Sequence, residues 1–350
     1  MSLTALPTSD PTILLRYRDG IFAVDLLTCA ICEFGFYDWL SSRNATLEEI
    51  LTHFQWAERP ADVLLSLSQA IGLVIAETKS GVTRYSATAL AREHLAEVSP
   101  WNLRPYYQSM KDRPVARDFV RVLKTGRPAQ WSGHEGAEED WHGAMLSSDF
   151  ARDFTAAMDC RGVFLGKSLA DCLKREGFLS QMHRVLDIGA GSGVYACALA
   201  ANAPGLKAVV LEQAPVDGIA MARIAERGLA AQVTVHSADM FEDPYPTDCD
   251  THLFSNVMHD WDKPDIRRLL ERSFAALPRG GRILVHEVFL NETKSGPRSA
   301  VEYSCILVHS TRGRCYGHGE MADLLIETGF VAPQYFETAG DRGVVVGRKH

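Results

Sequence analysis

The sequence predicts an α/β protein in two parts, a doubly wound α/β domain preceded by a helical domain with the element order of a winged helix. Three observations carry that expectation. From Met182 onward the short runs RVLDI, KAVVLE, QVTVHS, THLFSN and RILVHEVFL alternate with helical segments. Such Val-, Ile- and Leu-rich runs are the mark of a mostly parallel sheet covered on both faces. Ahead of residue 100, three helical patterns are followed by two β-like runs. The chain is 350 residues long and 46% hydrophobic, enough for a sizeable core and more than one core usually holds. The expected division is a winged-helix-like dimerisation domain over 1–100, a helical connector over 101–180 and the α/β domain over 181–350.

Taken in order, residues 1 to about 14 are punctuated by Ser, Thr and Pro and read as a loose arm. IFAVDLLTCAICEFGFYDWL, from Ile21, is apolar on most faces, as in a helix buried on several sides or packed on a second subunit. Thr46 followed by Glu49 is a capping box for the short helix TLEEILTHF. Pro60 leads into a helix with Val63, Leu64, Leu67 and Ile71 at helical spacing, which Gly72 stops. VIAETKSGVTRYSAT then reads as two short strands about Ser80-Gly81. Residues 100 to 180 read as helical, with the acidic loop SGHEGAEEDWHG in the middle; Phe154 and Met158, four apart before the α/β domain, are candidates to line an acceptor pocket or to be core.

Charge and cysteine usage narrow the function classes. Lys and Arg number 36 against 44 Asp and Glu, a net charge of -8, so no broad positive field is available for a phosphate backbone. The second and third helical segments carry Glu48, Glu49, Glu58 and Asp62 against Arg59, which opposes DNA binding by the winged-helix order. The eight cysteines have no framework spacing, and Cys29 and Cys32 lie in an apolar helix with no second pair, so a reducing, cytoplasmic setting and buried thiols are expected. No stretch has the length and apolarity of a membrane span, and no leader is expected at the N-terminus.

The strongest local signal is VLDIGAGSG, residues 185–193, running from a strand into a helix. Gly189, Gly191 and Gly193 let a ligand approach the backbone at the carboxyl end of a strand, where open sheets bind ligands. Val194 stands where a dinucleotide fingerprint needs glycine, which disfavours pyrophosphate. Asp187 can organise the loop or meet a cationic amino group, and Glu212, ending the second strand, can accept from both hydroxyls of a ribose. Asp239, Met240 and Phe241 follow the third strand, a carboxylate, a thioether and a ring suited to a purine edge and face. In this order the features favour an adenosine ligand without phosphates, and S-adenosylmethionine fits best.

The fourth strand ends in SNVMHDW, residues 255–261. His259 there can take a proton from a phenol or similar acid, and Glu287, leaving the fifth strand at the neighbouring edge position, can hold the imidazole in one tautomer. Together these segments resemble the small-molecule O-methyltransferases of the plant caffeate and flavonoid type and their bacterial natural-product relatives. The resemblance covers nearly the whole chain, from the apolar first helix through RPADVLLSLSQAIGLV and YSATALAREHL to LLIETGF. It implies a Rossmann-like methyltransferase domain, S-adenosylmethionine as cofactor, a homodimer, His259 as general base with Glu287 beside it, and Ser255, Asp260 and Trp261 in the motif next to the cofactor. Two departures stand out. Cys315 occupies the place of the family's second glutamate, and Ser255 that of a lysine common in the plant members.

The expected function is therefore methylation of a small, aromatic, hydroxylated metabolite. Open alternatives are C- or N-methylation in a natural-product pathway, in which His259 and Cys315 would orient the substrate, and a non-methylating reaction with the same cofactor. His309, Tyr303 and Cys315 read equally as pocket or core. A metal site from His259, Asp260 and His309 lacks a recognised spacing, so no metal is expected.

Overall fold

In the computed structural model, residues 3–129, 145 and 147–350 are described. The loop SGHEGAEEDWHG lies outside them. The described residues fall into two compact units, one drawn from the stretches up to Ile13, Gly136–Phe289 and Tyr316–His350, the other from Leu14–Glu135 and Leu290–Cys315.

In the helical unit, α1 (Thr12–Asp19) leads to α2 (Ala23–Cys32) and α3 (Phe36–Leu40). The apolar segment from Ile21 is thus two helices, the first closed at Glu33 and the second entered through Gly35 at φ 59. Next come β1 (Asn44–Thr46) and α4 (Leu47–Phe54), whose capping box is formed: the Glu49 N–H donates to Thr46 Oγ1 at 3.2 Å and the Thr46 N–H to Glu49 Oε2 at 2.7 Å. They are followed by α5 (Glu58–Ala70), β2 (Val74–Lys79), β3 (Val82–Ala87), α6 (Ala89–Leu95), α7 (Arg104–Gln108) and α8 (Pro114–Thr125). Ser80 and Gly81, at φ 50 and 79, make the tight turn of the β2–β3 hairpin. Two strands were read from sequence, and β1 is a third: it pairs antiparallel with β3 in the order β1-β3-β2.

Residues 290–315, which the composition-based division counts with the α/β domain, pack in the helical unit instead. Charge and hydrogen bonding hold them there. The Arg59 guanidinium donates to the carbonyls of Val308 at 3.3 Å, Gly313 at 2.7 Å and Gly126 at 2.6 Å. Asp62 pairs with Lys294 and with Arg314, each at 3.3 Å. Arg59 and Asp62, read at first as surface charge on a helix, are half-buried ties across the unit.

The second unit begins with the long helix α9 (Ser148–Arg175) and continues as β4 (Arg184–Ile188), α10 (Val194–Asn202), β5 (Lys207–Glu212), α11 (Val216–Glu226), β6 (Val233–Ser237), β7 (Thr251–Ser255), α12 (Lys263–Ala276) and β8 (Arg282–Glu287). The helical unit's α13 (Arg298–Ser310) intervenes before α14 (His318–Glu327), β9 (Phe330–Glu337) and β10 (Gly343–Lys349). The sheet has seven strands in the order β6-β5-β4-β7-β8-β10-β9. The first five are parallel, and β10 is antiparallel to both its neighbours. The strand order switches at β4, with β5 and β6 on one side and β7 and β8 on the other, and ligands bind at the carboxyl ends of the strands at such a switch point.

One face of the sheet is covered by Ile266, Leu269 and Leu270 of α12 and Leu324 and Leu325 of α14, packed on Leu186, Leu211, Phe254 and Val285. On the α10 side, Gly162 and Gly166 of α9 allow close contact: a Cβ at Gly162 would stand 2.3 Å from Val194 Cγ1, and one at Gly166 2.9 Å from the Ala198 Cβ. That packing fixes the start of α10, and with it the glycine turn.

Candidate active site

The turn from β4 to α10 is set by three left-handed glycines, Gly189, Gly191 and Gly193, at φ 64, 56 and 71. Their surroundings differ. A Cβ at Gly193 would lie 2.8 Å from Val210 Cγ2 and one at Gly189 3.2 Å from Val257 Cγ2, so those two are glycines of close packing. A Cβ at Gly191 would meet nothing within 4 Å, leaving the backbone open on that side for a ligand.

Two carboxylates frame the turn. Glu212 accepts from the Gly191 N–H at 2.9 Å through Oε2 and from the Gln213 N–H at 3.0 Å through Oε1, so it braces the loop from the end of β5. Asp187 is fully buried; Oδ2 accepts from the Ala196 N–H at 3.0 Å, while Oδ1 is buried with no hydrogen-bond partner. Burial pushes the Asp187 carboxyl up to about 7, with the nearby Glu212 charge adding to the rise and the Ala196 N–H opposing it. Burial likewise pushes Glu212 up to about 7, against its two backbone donors. A buried carboxylate with an unused oxygen is a seat for a cationic group. Asp187, Gly191 and Glu212 therefore fit an adenosine ligand that carries an ammonium.

Beyond β6, Asp239 turns back on the chain: Oδ1 accepts from the Phe241 N–H at 2.7 Å. The Met240 carbonyl takes the Tyr245 hydroxyl at 2.7 Å and Arg272 Nε at 3.0 Å, which pins that residue beside the Gly189 turn. Phe241 meets Trp261 edge to face at 4.6 Å between ring centroids, and the Trp261 carbonyl accepts from the Tyr316 hydroxyl at 2.7 Å. Met240, Phe241 and Trp261 are thus brought together as one apolar wall.

The base candidate lies past β7. His259 sits in a single 3-10 turn, Met258–Asp260, and is 4% exposed. Its Nδ1 is 2.5 Å from Glu287 Oε2, and Glu287 Oε1 accepts the N–H groups of Val257 and Met258, both at 2.8 Å. One carboxylate at the end of β8 therefore shapes the turn and orients the ring that the turn carries. Burial alone would push the His259 imidazolium toward deprotonation; the charges of Glu287 and Asp260, with the hydrogen bond to Glu287, outweigh it and hold the ring above the ordinary histidine value. A carboxylate facing Nδ1 favours the neutral tautomer protonated there, which places the lone pair on Nε2, 3.7 Å from Asp260 Oδ1.

Ser255, expected beside the cofactor, is buried with its hydroxyl 2.8 Å from His286 Nδ1. His286 Nε2 reaches Thr338 Oγ1 at 3.1 Å, and burial, reinforced by Arg342 and Arg161, pushes this ring down to about 3, so it is neutral. Asn256, which the sequence reading passed over, donates through Nδ2 to the Tyr195 hydroxyl at 2.9 Å and to Ser255 Oγ at 3.3 Å. No local pattern marks that bond, since its partners are 61 residues apart.

Of the four acceptor-pocket candidates, Phe154 and Met158 lie half-buried on α9, in the same unit as His259; Phe154 stacks on Phe150 at 5.8 Å. His309 and Cys315 belong to the helical unit. His309 is buried between Phe22 and Phe119, with Nε2 3.2 Å from Asp118 Oδ2 and Nδ1 3.1 Å from Ser310 Oγ. Cys315 is wholly buried and its N–H donates to Ser304 Oγ at 3.0 Å. Cys29 is buried in α2, and burial pushes its thiol up, away from the thiolate that a metal needs. Among the described residues no group of three or more His, Cys, Asp or Glu side chains is placed to hold a metal, and no helix is long and apolar enough to cross a membrane.

An α/β crevice with a glycine turn, two framing carboxylates and a carboxylate-held histidine defines a class of group-transfer enzyme. The chain belongs to the O-methyltransferase family, whose domain model matches residues 118–331. It is 31% identical over 354 residues to 3-hydroxy-5-methyl-1-naphthoate 3-O-methyltransferase of Streptomyces sahachiroi, covering 97% of this chain and 95% of that one. Among solved structures, it is similar to an O-methyltransferase family 2 protein from Planctomyces limnophilus in complex with apigenin, with a TM-score of 0.87 and 26% identity over 100% of this chain and 99% of that chain. It is also similar to human N-acetylserotonin methyltransferase in complex with S-adenosylmethionine, with a TM-score of 0.61 and 25% identity over 99% of each chain. The protein is an S-adenosylmethionine-dependent O-methyltransferase.

Proposed function

We propose that the acceptor is a small aromatic metabolite carrying a phenolic hydroxyl, and that His259 is the general base that takes its proton. The observation that carries this is the His259–Glu287 pair at 2.5 Å, since a carboxylate facing Nδ1 favours the tautomer that leaves the lone pair on Nε2. The hydroxynaphthoate in the name of the Streptomyces relative and the apigenin in complex with the Planctomyces protein support the acceptor class. Bound S-adenosylmethionine supplies the electrophilic methyl. Glu212 would hold the ribose, Asp187 the ammonium, Asp239 the exocyclic amine of adenine, and Met240, Phe241 and Trp261 the ring faces. Ser255 supports the same region through His286. Most of the acceleration comes from holding the reacting atoms in line, worth about 7–11 kcal/mol, and proton removal adds about 10²–10⁴-fold. Phe154 and Met158, in the same unit as His259, are proposed to line the acceptor side. The first experiment incubates the protein with S-adenosylmethionine and a panel of phenols. A product heavier by one methyl on oxygen, with release of S-adenosylhomocysteine, supports the reading; methylation at carbon or nitrogen, or turnover without methyl transfer, overturns it.

Cofactor affinity is expected to depend on pH with a definite sign. Asp187 and Glu212 are pushed up to about 7; the ammonium prefers Asp187 ionised, and ribose hydroxyls, as donors, prefer Glu212 ionised. Binding therefore releases protons below about pH 7, and affinity rises with pH up to that point and then levels. Calorimetry in two buffers of different ionisation heat measures the release; a flat affinity between pH 5 and 8 contradicts it.

The helical unit is proposed to be a winged-helix-like dimerisation domain in a homodimer. Leu14, Tyr17, Ile21, Leu103 and Tyr106 support this, because each leaves about half or more of its surface uncovered. Light scattering is expected to give twice the chain mass, and a monomer at all concentrations would exclude it.

A further inference from the structure

We propose that Asn256 is a cofactor-contacting residue, its side-chain carbonyl receiving the ammonium of the methionine part of S-adenosylmethionine. The inference rests on reading the sheet edge as the site of that cofactor. Asn256 follows β7 with φ 55, a left-handed conformation that asparagine tolerates, and its N–H donates to the His286 carbonyl at 2.9 Å. The two donors on Nδ2 fix the amide plane, one to the Tyr195 hydroxyl at 2.9 Å and one to Ser255 Oγ at 3.3 Å. Oδ1 is thereby turned away from both, and it is buried without a hydrogen-bond partner. A carbonyl held so firmly and left unused asks for a donor from outside the chain.

The topology says which donor. In the order β6-β5-β4-β7-β8, Glu212 ends β5, Asp239 follows β6, and His259 follows β7 beside Glu287 at the end of β8. A ligand with its adenosine over β5 and β6 and its methyl toward His259 must carry its amino-acid branch over β4 and β7. Those two strands present the two orphan acceptors, Asp187 Oδ1 and Asn256 Oδ1. Both residues are tied to the first turn of α10, Asp187 through the Ala196 N–H and Asn256 through Tyr195. At that end of the cofactor the ammonium donates hydrogen bonds and the carboxylate cannot, so acceptors there select the ammonium.

The test is calorimetry on the intact protein with two probes, S-adenosylhomocysteine and the analogue in which its ammonium is replaced by hydrogen. Asn256→Gly removes the amide while keeping the left-handed backbone. It is expected to lose about tenfold to hundredfold in affinity for S-adenosylhomocysteine and little for the deaminated analogue, as for one hydrogen bond to a charged group. Asn256→Asp is expected to keep the discrimination between the two, since it retains the acceptor. Tyr195→Phe releases the amide and is expected to lose part of it. Equal losses for both probes would assign Asn256 a shaping role and overturn the proposal, as would no loss at all. Failure of wild-type protein to bind S-adenosylhomocysteine would instead overturn the site, and this inference with it.

Discussion

Replacing His259 by alanine is expected to slow methyl transfer about 10²- to 10⁴-fold, the worth of a positioned base, while cofactor affinity is unchanged. Residual turnover is expected, because the proposed cofactor residues Asp187, Glu212 and the glycine turn are untouched. Alanine also strips Glu287 Oε2 of its 2.5 Å partner and leaves a buried carboxylate short of one donor, so part of any loss reflects stability. His259→Gln separates the two effects, since its amide N–H can still donate to Glu287 but takes no proton. It is expected to unfold close to wild type and remain as slow as the alanine variant. Single-turnover rates with calorimetry of S-adenosylhomocysteine measure both quantities, and a glutamine variant at wild-type rate would remove His259 from the mechanism.

The second large effect is expected at Glu287. Glutamine there can still accept the Val257 and Met258 N–H groups through its carbonyl, but it presents an amide N–H to His259 Nδ1. The ring must then accept at Nδ1 and carry its proton on Nε2, the wrong tautomer for a base. The loss in kcat is expected to approach that at His259, about 10²–10⁴-fold, with little change in the fold. Alanine at 287 is expected to behave differently, because it also abandons two buried N–H donors at about 1–3 kcal/mol each. Its melting temperature should fall well below that of the glutamine variant. Equal melting temperatures would show that the turn does not depend on Glu287.

What the sequence discloses and what it hides divide along a physical line. The glycine turn, Glu212, the Asp239–Phe241 stretch and the His259–Glu287 pair were legible because each belongs to a short segment whose place at a strand end follows from local pattern. Strand β1 has three residues and no periodicity of its own, so its pairing with β3 was hidden. The edge strand β9 and the reversed strand β10 inside it follow the run of parallel units, and no β-α alternation announces them. Residues 290–315 look like a continuation of the α/β domain by order along the chain. Their place in the helical unit depends on Arg59, more than 200 positions away, finding the carbonyls of Val308 and Gly313. The Asn256–Tyr195 bond is of the same kind, visible only once β7 and α10 are side by side.

The central claim, that Glu287 holds His259 as a base with its proton on Nδ1, is tested most directly by nitrogen NMR of the labelled imidazole, assigned by comparison with His259→Gln. The expected result is a neutral ring carrying hydrogen on Nδ1 and a titration above the ordinary histidine value, falling below it in Glu287→Gln. A ring protonated on Nε2 when neutral, or one that titrates below the ordinary value while Glu287 is present, would contradict the account.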